Sequence, residues 1–101
     1  MNVKEEPYAV MCTGEKTAEY RELTDWIHSR LFEKDSLELR HYKDVKIQNG
    51  YNKGSPWFTA QWTGRVEFAD RVNRQWSTGF AVNGGPYWVI HLGPLLETGR
   101  A

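Results

Sequence analysis

The fold is decided by residues 57–68, which read WFTAQWTGRVEF. One face of this segment is formed by Phe58, Ala60, Trp62, Gly64, Val66 and Phe68. The other face is largely polar, and such alternation with a period of two predicts a β-strand. Twelve residues are long for a flat strand, and Gly64 in the middle predicts a bend or a bulge. Long, bent strands of this kind are typical of small closed barrels.

Weaker alternation on both sides of this segment predicts the rest of the sheet. We expect further strands over residues 37–42, 45–48, 76–82 and 87–92, and turns over 49–54 and 83–86. Asn83-Gly84 between two alternating runs is a strong signal for a β-hairpin.

The first third of the chain has helical spacing instead. We expect one short helix over residues 4–13, ended by Gly14, and a second from about Asp25 to Glu33 with Thr24 or Asp25 as its N-cap. Between them, residues 15–21 look extended. Two helices followed by five or six strands predict a single α+β domain over residues 1–101, whose antiparallel or mixed sheet curls into a β-barrel.

Composition narrows the class of protein further. A chain of 101 residues is too short for a multidomain enzyme, and zero net charge with 14% aromatic residues argues against disorder. Cys12 stands alone, which excludes an internal disulfide, and the histidines have no metal-ligand spacing. We therefore expect neither a metal nor a cofactor. No apolar run is long enough to span a membrane and no secretory signal is present, so the sequence predicts a cytoplasmic protein.

The zero net charge hides an asymmetry along the chain. Residues 1–39 carry 5 basic and 9 acidic side chains, a net −4, whereas residues 40–74 carry 7 basic and 3 acidic ones, a net +4. A basic segment can bind polyanions such as nucleic acid. A net charge of +4 is modest, however, and charge alone favours the alternative that the two halves of the domain face and neutralise each other.

One short segment, Gly14 to Arg21, concentrates charge next to a helix end. Lys16 there could hold a phosphate, or serve as a base or nucleophile if it is desolvated. Arg21 could clamp a phosphate or carboxylate, and Glu19 could orient Arg21 or transfer a proton. The simpler interpretation is a solvated strand with an acid–base pair.

The segment has the form G-x-K-x-x-E-x-R, which resembles the signature of the ASCH domain, a member of the PUA-like superfamily. The resemblance extends to Pro7-Tyr8 before the motif and to residues 45–51, 62–66 and 89–93 after it, and is greatest to small stand-alone bacterial and phage members. It implies a β-barrel with flanking helices and a cleft lined by Lys16, Glu19 and Arg21. It also implies RNA or modified nucleosides as ligands.

Family members have been assigned RNA binding, ribonuclease activity and hydrolysis of acetylated cytidine nucleosides. The amidohydrolase branch has a threonine, its proposed nucleophile, where this chain has Glu19. Thr17 is a poor substitute, because it is adjacent to Lys16 and therefore points to the face of a strand opposite to Lys16. Our first hypothesis is therefore an RNA- or nucleoside-binding domain that uses Lys16 and Arg21. The alternatives are a small hydrolase, with Glu19 as general base, Lys16 stabilising negative charge and Arg21 in the same site, and a module that binds a host protein.

Other side chains could extend a nucleic-acid surface. We expect phosphate contacts from Lys46, Lys53 and Arg65, with Arg71 and Arg74 as further cations. Unpaired bases could stack on Trp57, Tyr51 and Trp76, whereas Trp62 and Trp88 are predicted to be core.

Two more polar residues are candidates for the cleft. Glu67 could supply a second carboxylate, although a solvated strand position explains it more simply. His91 is the histidine most able to reach a cleft, because it lies in a predicted strand close to Gly93-Pro94.

Overall fold

A computed structural model describes all residues from 1 to 101. The helices are α1 (Glu5–Cys12) and α2 (Asp25–Leu31). The strands are β1 (Asn2–Val3), β2 (Ala18–Glu22), β3 (Asp44–Asn49), β4 (Pro56–Ala69), β5 (Val72–Gln75), β6 (Ala81–Gly84) and β7 (Tyr87–Arg100). The predicted α+β class, with two short helices and a majority of strands, is confirmed.

Five strands form the main sheet in the order β1-β3-β4-β7-β2. All neighbours are antiparallel except β1 and β3. No ladder joins the two edge strands, so the sheet is not closed into the barrel that the long strand suggested. Only a side chain links these edges: Arg21 of β2 donates from Nη2 to the Asn2 carbonyl of β1 over 2.8 Å.

The long strand and the helix starts follow their sequence signals. β4 includes all of residues 57–68, and its pairing with β7 shifts register around Gly64, which has a φ of +70°. The predicted bulge is therefore present. Thr24 caps α2, since its hydroxyl accepts from the Ile27 N–H over 3.2 Å.

Two groups of buried side chains form the core. Val3, Met11, Ile47, Phe58 and Ala60 form the first group, between α1 and the β3–β4 part of the sheet. Ile27, Leu31, Phe32 and Ile90 form the second, between α2 and β7. Trp62 and Trp88 pack against the second group but are only partly buried, so their predicted core position is met in part.

The strand predicted over residues 37–42 is wrong. Only one isolated bridge, Phe32 to Leu39, forms there. The segment instead folds back over α2, because Arg40 Nε donates to the Ser29 carbonyl over 2.9 Å and the Tyr42 hydroxyl donates to the Arg30 carbonyl over 2.6 Å. These bonds satisfy carbonyl groups near the end of the helix.

The strand predicted over residues 76–82 is correct only at its end, since β6 covers Ala81–Gly84, and the hairpin turn predicted after it is wrong. Trp76 to Phe80 form the turn of a separate two-stranded sheet, β5–β6, closed by a hydrogen bond from the Trp76 N–H to the Phe80 carbonyl over 2.9 Å. Gly85 and Pro86 then connect β6 to β7, which belong to different sheets and do not form a hairpin. Gly85 passes so close to Asp70 that a Cβ there would lie 2.4 Å from the Asp70 carbonyl oxygen.

Strand β7 is longer than predicted, since it continues through Gly93-Pro94 to Arg100. β2 pairs only with residues 87–91 of β7, so Pro94 lies where β7 has a neighbour on one side only. Proline is tolerated at such an edge because no ladder hydrogen bond is lost. Neither helix has the length and apolar character that crossing a bilayer requires.

Candidate functional site

The chain reversal at Gly14 brings the predicted motif together. Gly14 adopts a φ of +80°, and the Lys16 N–H donates back to the Val10 carbonyl over 3.1 Å, which ends α1. β2 begins at Ala18, and its alternation places Glu19 and Arg21 on one face, as predicted. The register pairs these residues with Ile90 and Trp88 of β7, so they face the side of the sheet that α2 covers.

Lys16 is buried, with only 3% of its surface exposed. Its ammonium donates to the Ala18 carbonyl and lies 3.4 Å from Glu19 Oε1. The ring centroids of Tyr20 and Trp76 are 5.3 Å and 5.6 Å from Nζ, within the range of cation–π attraction. Lys16 therefore does not reach the surface, where the sequence interpretation had placed it as a phosphate ligand.

Glu19 lies between the two cations of the motif and is 6% exposed. Its Oε1 accepts from the Tyr20 N–H over 2.9 Å and faces Lys16, while its Oε2 lies 3.5 Å from Arg21 Nη2. Both carboxylate oxygens are thus engaged inside the protein. This arrangement suits a group that holds Arg21 in place better than one that removes a proton from a ligand.

The buried ammonium predicts a pH dependence of stability. Burial lowers the pKa of Lys16 from its ordinary value of 10.5, and Glu19 opposes that shift only in part. The folded state then loses this proton at a lower pH than the unfolded chain, so stability rises with pH between the lowered pKa and 10.5. We expect wild type to gain stability relative to Lys16→Met as the pH rises from neutral towards that limit.

Urea unfolding of both proteins over that pH range measures the effect. Taking the difference between the two proteins removes the contribution of the tyrosines and other lysines. A difference that stays constant or shrinks as the pH rises would contradict a lowered pKa.

Arg21 is the motif residue that opens onto a cleft of ≈450 Å³. The cleft lies between α2, the interior face of β2 and the part of β3 that β1 leaves unpaired, in the gap where the sheet does not close. Such a volume is typical of small-ligand sites. Its cationic and aromatic lining residues are Arg21, Arg30, Lys46, Trp26, Tyr42, Tyr51 and Trp62.

Aromatic side chains with free surface dominate the mouth of this cleft. Trp26 is 59% and Tyr51 86% exposed. The Arg30 guanidinium lies over the Trp26 ring at 5.0 Å, and Tyr42 meets Trp62 edge to face at 5.4 Å. Exposed rings beside guanidinium groups can bind a planar base by stacking.

Two buried polar atoms of residues that line the cleft have no partner within the chain. These are Asn2 Oδ1 and Arg21 Nε. Unsatisfied buried polar groups are rare in folded proteins and concentrate at functional sites. Two residues of the cleft lining thus each have one buried polar atom that the fold leaves unpaired.

The structure separates the other predicted site residues from this cleft to different degrees. Lys46 contributes to the wall, but its ammonium lies 4.8 Å from the ring of Trp57. Lys53 is exposed in the turn after β3. Trp76, proposed as a base-stacking residue, is 4% exposed and lies beneath the β5–β6 turn, so that role is wrong for this conformation.

A second polar cluster forms on the opposite face of the sheet. Arg65 Nη2 lies 2.7 Å from Glu67 Oε1, and His91 Nε2 lies 3.1 Å from Glu67 Oε2. The two partners lower the pKa of the Glu67 carboxyl, Arg65 more than His91. Glu67 therefore supplies no carboxylate to the cleft beside Arg21, in agreement with the simpler interpretation of a solvated strand residue.

Sequence reasoning missed three residues of the cleft: Trp26, Arg30 and Tyr42. Trp26 and Arg30 are four apart on the stripe of α2 that also carries the buried Ile27 and Leu31. An arginine and an exposed tryptophan at the border of an apolar stripe were the available signal. For Tyr42 there was none, because the predicted strand was wrong.

The geometry defines a small α+β domain with an aromatic, cationic cleft beside a buried Lys–Glu–Arg group. No set of three or more His, Cys, Asp or Glu side chains is arranged to hold a metal ion. Comparison with models of known families, with curated proteins and with solved structures finds no match for this chain.

Proposed function

We propose that this chain is a nucleic-acid-binding domain of the ASCH type, which takes a base of single-stranded RNA or a modified nucleoside into the cleft beside Arg21. The observation that carries the proposal is the combination of Arg21 with exposed aromatic rings in one cavity. Stacking on rings and hydrogen bonding to guanidinium groups are the general means by which proteins bind unpaired bases.

The motif residues have distinct roles in this proposal. Arg21 contacts the ligand, because its side chain is 26% exposed and lines the cleft while Asn2 and Glu19 hold Nη2 in place. Glu19 positions Arg21, and Lys16 neutralises Glu19 from the buried side. A curled sheet whose two edges are bridged by Arg21 is consistent with a PUA-like arrangement.

Binding is favoured over hydrolysis on the same geometry. A general base needs a carboxylate oxygen within reach of the ligand. Both oxygens of Glu19 are engaged by Lys16, Arg21 and the Tyr20 N–H. The buried Lys16 is likewise closed to a substrate.

Removing an exposed ring from the cleft should weaken binding without unfolding the protein. We expect Trp26→Ala to lose about 1–3 kcal/mol of binding free energy, the usual contribution of one base–aromatic stack. The measurement is equilibrium binding of the four ribonucleosides, N4-acetylcytidine and a short random-sequence single-stranded RNA to wild type and variant.

Phe68→Ala is the matched control, because Phe68 is also an exposed aromatic residue but lies outside the cleft. It should bind as wild type does. Equal losses in both variants, or no binding of any probe to the wild type, would overturn the proposed function. Conversion of a probe into a product would instead support the hydrolase.

A further inference from the structure

We infer that the ligand of this cleft carries a phosphate held by Arg30 together with Arg21, so that the preferred unit is a nucleotide and not an uncharged nucleoside. This inference rests on the proposed function and names its substrate class. Its starting point is the charge of the cavity. Arg21, Arg30 and Lys46 line it against one carboxylate, Asp44, although the whole chain has zero net charge.

Arg30 is the cleft cation best placed for an anion. No carboxylate pairs with it, whereas Arg40 and Arg65 pair with Glu33 and Glu67. Its guanidinium carbon lies 5.0 Å from the centroid of the Trp26 ring, and contact with an aromatic ring leaves guanidinium N–H groups able to donate to an anion. A guanidinium without a carboxylate partner suits bidentate contact with phosphate oxygens.

The backbone around Arg30 is held in place. Its carbonyl accepts from the Tyr42 hydroxyl over 2.6 Å, and Tyr42 in turn packs edge to face on Trp62. Arg30, Tyr42 and Trp62 are therefore linked to one another by direct contacts. A ligand with a planar base and an anionic group matches these two kinds of surface at once.

Arg21 provides the second positive group, because Glu19 neutralises its charge only in part. Its partner Glu19 is shared with Lys16, so these three side chains together carry one positive charge. Inorganic phosphate alone would use the arginines but not the rings. A nucleoside alone would use the rings but leave the arginines without an anion.

The test compares each nucleoside with its 5′-monophosphate and with inorganic phosphate, using wild type, Arg30→Gln and the control Arg71→Gln. Arg71 is an exposed arginine outside the cleft. We expect at least one monophosphate to bind about 10-fold or more tightly than its nucleoside, as charge-assisted hydrogen bonds provide. Arg30→Gln should remove that advantage and Arg71→Gln should keep it.

The outcomes separate this inference from the proposed function. A nucleoside that binds as tightly as its monophosphate overturns the phosphate site and leaves the proposed function standing. Inorganic phosphate that binds as tightly as the monophosphate overturns the nucleotide as the preferred unit, because the rings then contribute nothing to binding. The phosphate site is overturned if Arg30→Gln, shown to be folded by thermal unfolding, retains the preference for the monophosphate. Binding of none of these ligands, nor of single-stranded RNA, removes both.

Discussion

Replacing Glu19 by glutamine is expected to lower the free energy of unfolding by about 3 kcal/mol, as the loss of one partner from a buried ion pair typically does. The glutamine keeps an oxygen that can accept from Lys16, but the buried ammonium loses the negative charge that balances it. Arg21 suffers less, because it is partly exposed to water. Urea unfolding followed by circular dichroism measures the change.

Glu22→Gln is the matched control for this prediction. Glu22 ends the same strand but is exposed, and no salt bridge involves it. It should change stability by less than about 0.5 kcal/mol, as surface substitutions usually do. Similar stabilities for the two variants would mean that the Lys–Glu–Arg group does not stabilise the fold, and that Glu19 is free for another role.

Truncating Trp76 to alanine is expected to cost about 3–5 kcal/mol, which is usual for a buried tryptophan. The ring stacks on Phe80 at 5.6 Å, meets Tyr20 edge to face at 5.9 Å and covers Lys16. Its removal leaves a cavity and opens a path for water to the buried ammonium. Trp76→Phe should cost far less, because the indole N–H that it loses has no partner.

We expect the opposite pattern for Trp26→Ala, which changes a tryptophan on the other side of the sheet. Trp26 is mostly exposed, so its removal should weaken ligand binding and leave stability nearly unchanged. Trp76→Ala, studied at a temperature where it is folded, should bind the ligand as wild type does. If Trp76→Ala remained stable but lost binding, Trp76 would be a ligand contact, as the sequence first suggested.

Local signals were sufficient for several elements. Gly14 and Gly64 determined a helix end and a bulge through their positive φ angles, and Thr24 determined a helix start through its side-chain hydroxyl. The period-two pattern identified β4 because that signal is also local: it requires only one strand with one face turned towards the core. The motif's alternation also placed Glu19 and Arg21 together correctly.

The incorrect predictions concern segments that could pair with more than one neighbouring element. Residues 37–42 alternate like a strand but satisfy their polar groups on α2. The Asn83-Gly84 pair has the composition of a hairpin turn, but β6 pairs with the preceding β5 and not with β7. β-Propensity is a property of one segment, whereas the pairing of that segment depends on which other elements of the fold lie next to it.

The sequence by itself thus determined the α+β class, the long bent strand and the side of β2 on which Glu19 and Arg21 lie. The tertiary structure alone decided that Lys16 is buried beneath Trp76 and that Arg21 opens onto a cleft lined by Trp26, Arg30 and Tyr42. Burial and cleft formation depend on how distant elements pack. A period of two or of 3.6 residues states which face is turned inward, but not which element will cover it.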